Sequence, residues 1–142
     1  MRASEITALI TDSASNQTNP QLFAQLHSLL SEHSQPQVAL GLLKVFTHGS
    51  PPPTGSDAQR LAGRLLLTLQ PQAKLDLGSV LRACLPRYEP SVKQLPYYLG
   101  QMFGTEQVLR ELRRLAHEPL AESERRAMET MQGWLHLPQD PG

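Results

Sequence analysis

The chain has 142 residues, of which 39% are hydrophobic and 18% are charged, and its 13 basic side chains balance its 13 acidic ones. This length suits a single domain with a sizeable core, while the charge balance argues against a dedicated nucleic-acid binder, which usually carries a basic excess. Cys84 is the single cysteine, which excludes an intramolecular disulfide and argues against a cysteine-based zinc site.

No membrane-spanning helix is predicted, because no apolar run approaches the roughly 18 residues that such a helix needs. Residues 1–20 also lack the long apolar stretch of a signal peptide. We therefore expect a cytoplasmic protein.

The N-terminal segment predicts a short helix. Ile6, Leu9 and Ile10 recur at helical spacing within residues 3–12. The polar run that follows, residues 13–19, is typical of a flexible connection. Further along, leucine dominates the apolar residues and no segment alternates as a strand would, so helices are predicted throughout.

The middle of the chain contains an internal repeat. The tripeptide Gln-Pro-Gln occurs at residues 35–37 and again, 35 positions later, at residues 70–72. Shifting the sequence by the same interval aligns apolar residues on both sides of the tripeptide, and a third unit follows at a spacing of 34. The aligned pairs include Leu26 with Leu61, Leu30 with Leu65, Leu40 with Leu75, Leu42 with Leu77, and Val45 with Val80.

Each unit predicts two short helices separated by residues that break helices, chiefly proline and glycine. The prolines Pro36 and Pro71 are predicted to begin the second helix of their units. A final helix over residues 121–136 is predicted to cap the stack. The first helices are predicted over residues 20–33, 57–69 and 91–103, and the second helices over 36–47, 73–85 and 105–116.

A period in the mid-thirties with two helices per unit is typical of α-solenoids. Over residues 20–116 the chain resembles the HEAT and tetratricopeptide classes of helical repeat. Pro96, Asp76 and Arg82 each match a part of the HEAT pattern, in different units. Residues 95–103 come nearest to the tetratricopeptide pattern, although Leu112 stands where that pattern has a small residue.

The predicted fold class is therefore all-α, with stacked antiparallel helix pairs forming about three two-helix units and a terminal capping helix. An irregular helical bundle is the alternative. The predicted organisation is an N-terminal helix and flexible connection over residues 1–19, a helical-repeat domain over 20–136, and a disordered tail over 137–142.

Residues suited to catalysis or metal binding do not cluster in the sequence. His27 and His33 are six positions apart, so they do not share a helix face, and the other histidines are scattered. Cys84 is predicted at the end of a helix, where the helix dipole disfavours a thiolate, and is expected to be buried. We therefore predict no enzyme, no metal site and no cofactor.

Two segments suggest partner binding. The helix predicted over 105–116 places Arg110, Arg113 and Arg114 on its outer face, where Glu106–Arg110 and Arg114–Glu118 pairs are expected. Tyr97 and Tyr98 cannot both lie on the core face of their helix, so at least one should be partly exposed, as at interfaces. These two tyrosines and three arginines are the predicted contacts for a protein partner.

The predicted function is that of a non-catalytic adaptor, chaperone or assembly subunit, which binds a protein through one face of the stack. Apolar surface at the ends of so short a stack also makes a homodimer plausible. The alternative is a nucleic-acid-associated repeat. It would use the same arginines together with Arg82, Arg87, Arg125 and Arg126.

Overall fold

The structure is a computed structural model that describes residues 1–137, and α-helices dominate it, with no strand among those residues. Two short 3-10 turns, Ala14–Asn16 and Leu85–Arg87, lie between helices. The helices are α1 (Ala3–Ser13), α2 (Pro20–Ser31), α3 (Gln35–Thr47), α4 (Ser56–Leu69), α5 (Leu77–Cys84), α6 (Gln94–Phe103), α7 (Thr105–Leu115) and α8 (Glu122–His136). The all-α prediction is confirmed for the part of the chain that is described.

Helices pack mainly against the helix two places further along the chain. Contacts of this kind join α1 with α3, α3 with α5, and α5 with α7; they also join α2 with α4, α4 with α6, and α6 with α8. Further contacts between α3 and α4, α6 and α7, and α7 and α8 connect the two series. The most extensive contact is that of α1 with α3, in which Ile6 and Ile10 are fully buried.

One continuous core runs through these helices, and its largest fully buried side chains are Tyr98 and Phe46. It includes one buried amide, Gln59, whose Nε2 donates to the carbonyl of Arg87 at 2.6 Å. The Oε1 of the same amide accepts from the backbone N–H of Glu89 at 2.8 Å. Because a buried amide must be hydrogen-bonded, this pair of bonds fixes the loop before α6 against α4.

The segment between α1 and α2 is bonded to its surroundings at several points. The Oδ1 of Asn19 accepts from the backbone N–H of Gln21 at 2.9 Å and caps α2. The Nη1 of Arg64, in α4, donates to the carbonyl of Gln17 at 2.7 Å, and its guanidinium lies 4.4 Å from the ring centroid of Phe23. These contacts join α2 and the preceding segment to α4.

Most of the predicted helices agree with the observed bounds to within two or three residues. α6 begins at Gln94, later than the predicted start at residue 91, and Pro96 lies in its first turn, where its missing N–H is tolerated. Gly104 ends α6 with a φ of 91°, a backbone conformation that glycine adopts readily. No helix among residues 1–137 is long and apolar enough to cross a membrane. The predicted tail lies outside the described residues from position 138 onward.

The second helix of the second unit was predicted wrongly. Residues 73–85 were expected to be helical, but α5 spans Leu77–Cys84, and residues 70–76 are not helical. Gln70 ends α4 in a left-handed conformation with a φ of 47°. Pro71 therefore does not begin a helix, whereas Pro36 does lie in the first turn of α3.

Tertiary hydrogen bonds explain the difference between the two Gln-Pro-Gln segments. The hydroxyl of Tyr98 donates to the carbonyl of Pro71 at 2.5 Å, in the interior of the protein. The backbone N–H of Gln72 donates to the Oε1 of Gln35 at 3.1 Å, so the second tripeptide bonds to the first. These backbone groups are satisfied by distant side chains, and a helix is not needed to satisfy them.

Candidate functional site

α3 is enclosed by its neighbours over most of its surface. Gly41 allows α1 to approach closely: a Cβ atom at this position would lie 2.7 Å from the Cβ of Ile6 and 2.8 Å from the carbonyl oxygen of Ala3. α4 and α5 cover other sides of α3, and seven of its 13 residues are buried. From the middle of the helix to its C-terminal end, Leu40, Lys44 and Thr47 form a stripe that these neighbours leave open to solvent, because residues three and four apart share a helix face.

This stripe forms one wall of a shallow apolar depression, which we call the α3–α5 groove. Leu40 is 39% exposed and is one of four large hydrophobic residues with comparable exposure among residues 1–137. The opposite wall comes from α5, where Val80 is half-buried. The groove encloses a cavity of about 210 Å³. Its lining residues are Leu40, Leu43, Lys44, Thr47, His48, Leu75, Ser79, Val80 and Ala83.

The charged residues around the α3–α5 groove are mainly basic. Lys44 lies in its wall, and exposed Lys74 and Arg82 are each next in sequence to a lining residue. Asp76, next to the lining residue Leu75, supplies the opposite charge, and its Oδ2 accepts from the Oγ of Ser79 at 2.5 Å. The groove therefore combines an apolar interior with Lys44 in its wall and Lys74 next to it in sequence, whereas the charge of Arg82 is paired with Glu118.

The three arginines predicted as partner contacts are exposed on α7, which packs against α5, and we call them the α7 arginine surface. Arg114 bonds to Glu111, and this hydrogen bond raises the pKa of the guanidinium. Arg110 Nη1 bonds to Gln107 at 3.3 Å and forms no ion pair with Glu106, so that predicted pair is wrong. Arg113 has no ion-pair partner within the described part of the chain.

An ion-pair bridge links the α7 arginine surface to α5. The Nη2 of Arg82 lies 2.5 Å from the Oε1 of Glu118, and the Nη1 of Arg114 lies 3.9 Å from the same atom. The predicted Arg114–Glu118 pair is therefore present. This bridge places Arg114 of α7 beside the helix that forms one wall of the α3–α5 groove.

The two predicted tyrosine contacts differ in their environment. Tyr98 is 0% exposed, and burial raises the pKa of its phenol above the usual range. Its hydroxyl is already bonded to the Pro71 carbonyl, so Tyr98 is not available to a partner in this structure and its prediction as a contact is corrected. Tyr97 is half-buried against the core, which agrees with the expectation that one of the two is partly exposed.

Cys84 is a core residue, as predicted. It is 0% exposed, and burial raises the pKa of its thiol to about 12. A thiol with this pKa stays protonated near neutral pH and is a poor nucleophile and metal ligand. No group of three or more histidine, cysteine or acidic side chains that could hold a metal ion occurs within residues 1–137.

The α3–α5 groove was not predicted from the sequence. Leu40 and Val80 stand in the aligned apolar columns of the repeat, together with residues that lie in the core. One signal was present in the sequence: Leu40, Lys44 and Thr47 are three and four apart and include a charged and a polar residue, as on a solvent-facing stripe.

Comparisons of the chain with protein-family models, with curated proteins and with solved structures gave no match.

Proposed function

We propose that this chain is a non-catalytic helical-repeat protein, a short α-solenoid, that binds a protein partner through one face of its helix stack. The helix contacts support the repeat, because each helix from α1 to α6 packs against the helix two places further along the chain. In α-solenoids, contacts between successive repeats bury the core and leave an extended surface for partners. The partner-binding face is formed by α3, α5 and α7.

The observation that carries this proposal is the exposed apolar lining of the α3–α5 groove. Leu40 is the most exposed residue of the stripe on an otherwise enclosed part of α3, and it lines the same cavity as Val80 of α5. Contiguous exposed apolar residues with a polar rim mark interaction surfaces more often than scattered ones do. Lys44, Arg82 and the α7 arginine surface supply such a rim, and protein interfaces share this arrangement of an apolar centre and a polar edge.

The ion pairs favour a protein partner over a nucleic acid. Arg82, Arg114 and Arg126 each pair with a glutamate. Paired guanidinium groups contribute less net positive charge to phosphate binding, on which nucleic-acid affinity depends. Arginine next to an apolar patch remains well suited to a protein interface, where it is enriched.

Affinity capture from native cells with the tagged full chain tests the proposal. A protein identified by mass spectrometry should bind the purified chain directly, and Leu40→Glu should lower its affinity at least about tenfold, because a charge would be buried in an apolar contact. Leu29→Glu is the matched control, since Leu29 is also an exposed helical leucine, 36% exposed, but lies on α2 outside the groove.

The double variant Arg113→Ala/Arg114→Ala tests the edge of the face. We expect weaker partner capture without a lower melting temperature, because both side chains are exposed. A partner whose affinity is the same for the unmodified chain, for Leu40→Glu and for the arginine double variant would refute the proposed face.

A further inference from the structure

We propose that the α3–α5 groove binds an amphipathic helix of the partner that carries acidic residues beside its apolar stripe. This inference rests on the proposed function and specifies the partner's chemistry. Two observations lead to it: the groove runs between two helices, and Lys44 lies in its wall without an ion-pair partner among residues 1–137.

The structure of the walls favours a helix as the occupant. Seven of the nine lining residues lie on α3 and α5, whose backbone N–H and C=O groups are engaged in helical hydrogen bonds along most of their length; His48 and Leu75 flank these helices. Such walls offer no row of free backbone groups to pair with an extended peptide as a sheet edge does. Contact must therefore come from side chains, and an amphipathic helix supplies apolar side chains at positions i, i+3, i+4 and i+7.

The charges select an acidic helix. Lys44 and Lys74 form no ion pair among residues 1–137, and Arg82 shares Glu118 with Arg114. A partner helix with Asp or Glu flanking its apolar stripe would pair with the two lysines, whereas a basic helix would be repelled. Asp76 is the one acidic residue next in sequence to a lining residue, and its carboxylate already accepts from Ser79.

A display library of helix-forming peptides provides the test. Peptides of about 16 residues, some four helical turns, would have randomised residues on one face and its flanks, and would be selected against the full chain. We expect enriched peptides to carry apolar residues at helical spacing and a net negative charge. Synthetic copies of the best peptide would then be measured by fluorescence anisotropy, together with a scrambled version of the same composition.

The affinity of the best peptide should fall at least about tenfold with Leu40→Glu and severalfold with Lys44→Glu, and should be unchanged by Leu29→Glu. Replacing the peptide's acidic residues with lysine should also abolish measurable binding. Lys44→Glu keeps the test valid if Leu40→Glu fails to fold, since the lysine side chain lies in the groove wall and not in the core.

Three results would overturn the inference. These are enrichment of basic or extended peptides, no enrichment above background, and equal binding of the scrambled peptide. Light scattering adds a fourth: a dimer that becomes a monomer with Leu40→Glu would mean that a second copy of the chain covers the groove. If a native partner depends on Leu40 but no acidic helix binds, the proposed function stands and only this inference fails. If neither Leu40→Glu nor the arginine double variant weakens binding of the native partner, both fail.

Discussion

The close packing of α1 on α3 makes Gly41 a position where adding a single methyl group should lower stability. In Gly41→Ala the new Cβ would lie 2.7 Å from the Cβ of Ile6 and 2.8 Å from both the Cγ2 of Ile6 and the carbonyl oxygen of Ala3. The carbonyl belongs to the backbone and cannot rotate away, so α1 and α3 must separate by several tenths of an ångström. The hydrogen bond of 2.7 Å from the Thr7 hydroxyl to the Gly41 carbonyl spans the same contact.

Two opposing terms set the expected magnitude for Gly41→Ala. Overpacking of a close-packed core costs about 1–3 kcal/mol, while replacing glycine by alanine inside a helix contributes about 1 kcal/mol of stability. The net effect should be a loss of about 1 kcal/mol in the free energy of unfolding, which lowers the melting temperature by about 4 °C in a domain of this size.

Urea denaturation and thermal melts followed by circular dichroism would measure this change, with Gly133→Ala as the matched control. Gly133 is also a helical glycine, in α8, but a Cβ there meets no atom within 4 Å. Gly133→Ala should therefore stabilise the protein by about 0.5–1 kcal/mol. A Gly41→Ala variant as stable as the unmodified chain, or more stable, would refute the packing that we describe between α1 and α3.

Three further predictions concern buried polar groups. Tyr98→Phe should destabilise the protein by about 1–2 kcal/mol in urea melts, because the Pro71 carbonyl loses its donor, whereas Tyr97→Phe should change little. Gln59→Leu should cost about 2 kcal/mol by the same assay, because two backbone partners lose their hydrogen bonds. Cys84 should react slowly with a thiol reagent at pH 8 when folded and rapidly in denaturant. Burial raises the pKa of the Cys84 thiol from 9.0 to about 12. The stability that the protonated thiol contributes is therefore present below pH 9 and is lost as the pH rises towards 12. In Cys84→Ala the free energy of unfolding should fall less steeply over this pH range.

Prompt labelling of Cys84 in the folded chain would contradict its burial. Full retention of stability in Tyr98→Phe would contradict the bond to Pro71, and in Gln59→Leu it would contradict the anchoring of the loop before α6.

Local sequence predicted most helices because their limits depend on nearby residues. Pro20, Pro36 and Gly104 lie at or beside helix ends, and proline and glycine act there through their own backbone preferences. The burial of Cys84 also followed from local context. Among the predicted partner contacts, the three arginines are exposed as expected, whereas Tyr98 is buried.

The sequence of α3 shows why the groove was not predicted, although Lys44 and Thr47 gave one signal for it. Residues 38–46 are apolar except for Gly41 and Lys44, so hydrophobic periodicity does not say which stripe faces solvent. That choice depends on how many neighbours pack against the helix and from which directions. α1, α4 and α5 together leave the stripe with Leu40 uncovered.

By itself, the sequence determined that the chain is helical and where most helices begin and end, because these depend on interactions within a few residues. Only the tertiary structure decided the course of residues 70–76, the burial of Tyr98 and the exposure of Leu40. The two copies of Gln-Pro-Gln demonstrate the difference. They have identical residues, but the first begins a helix and the second does not, because Tyr98 and Gln35 bond to the backbone of the second from elsewhere in the fold.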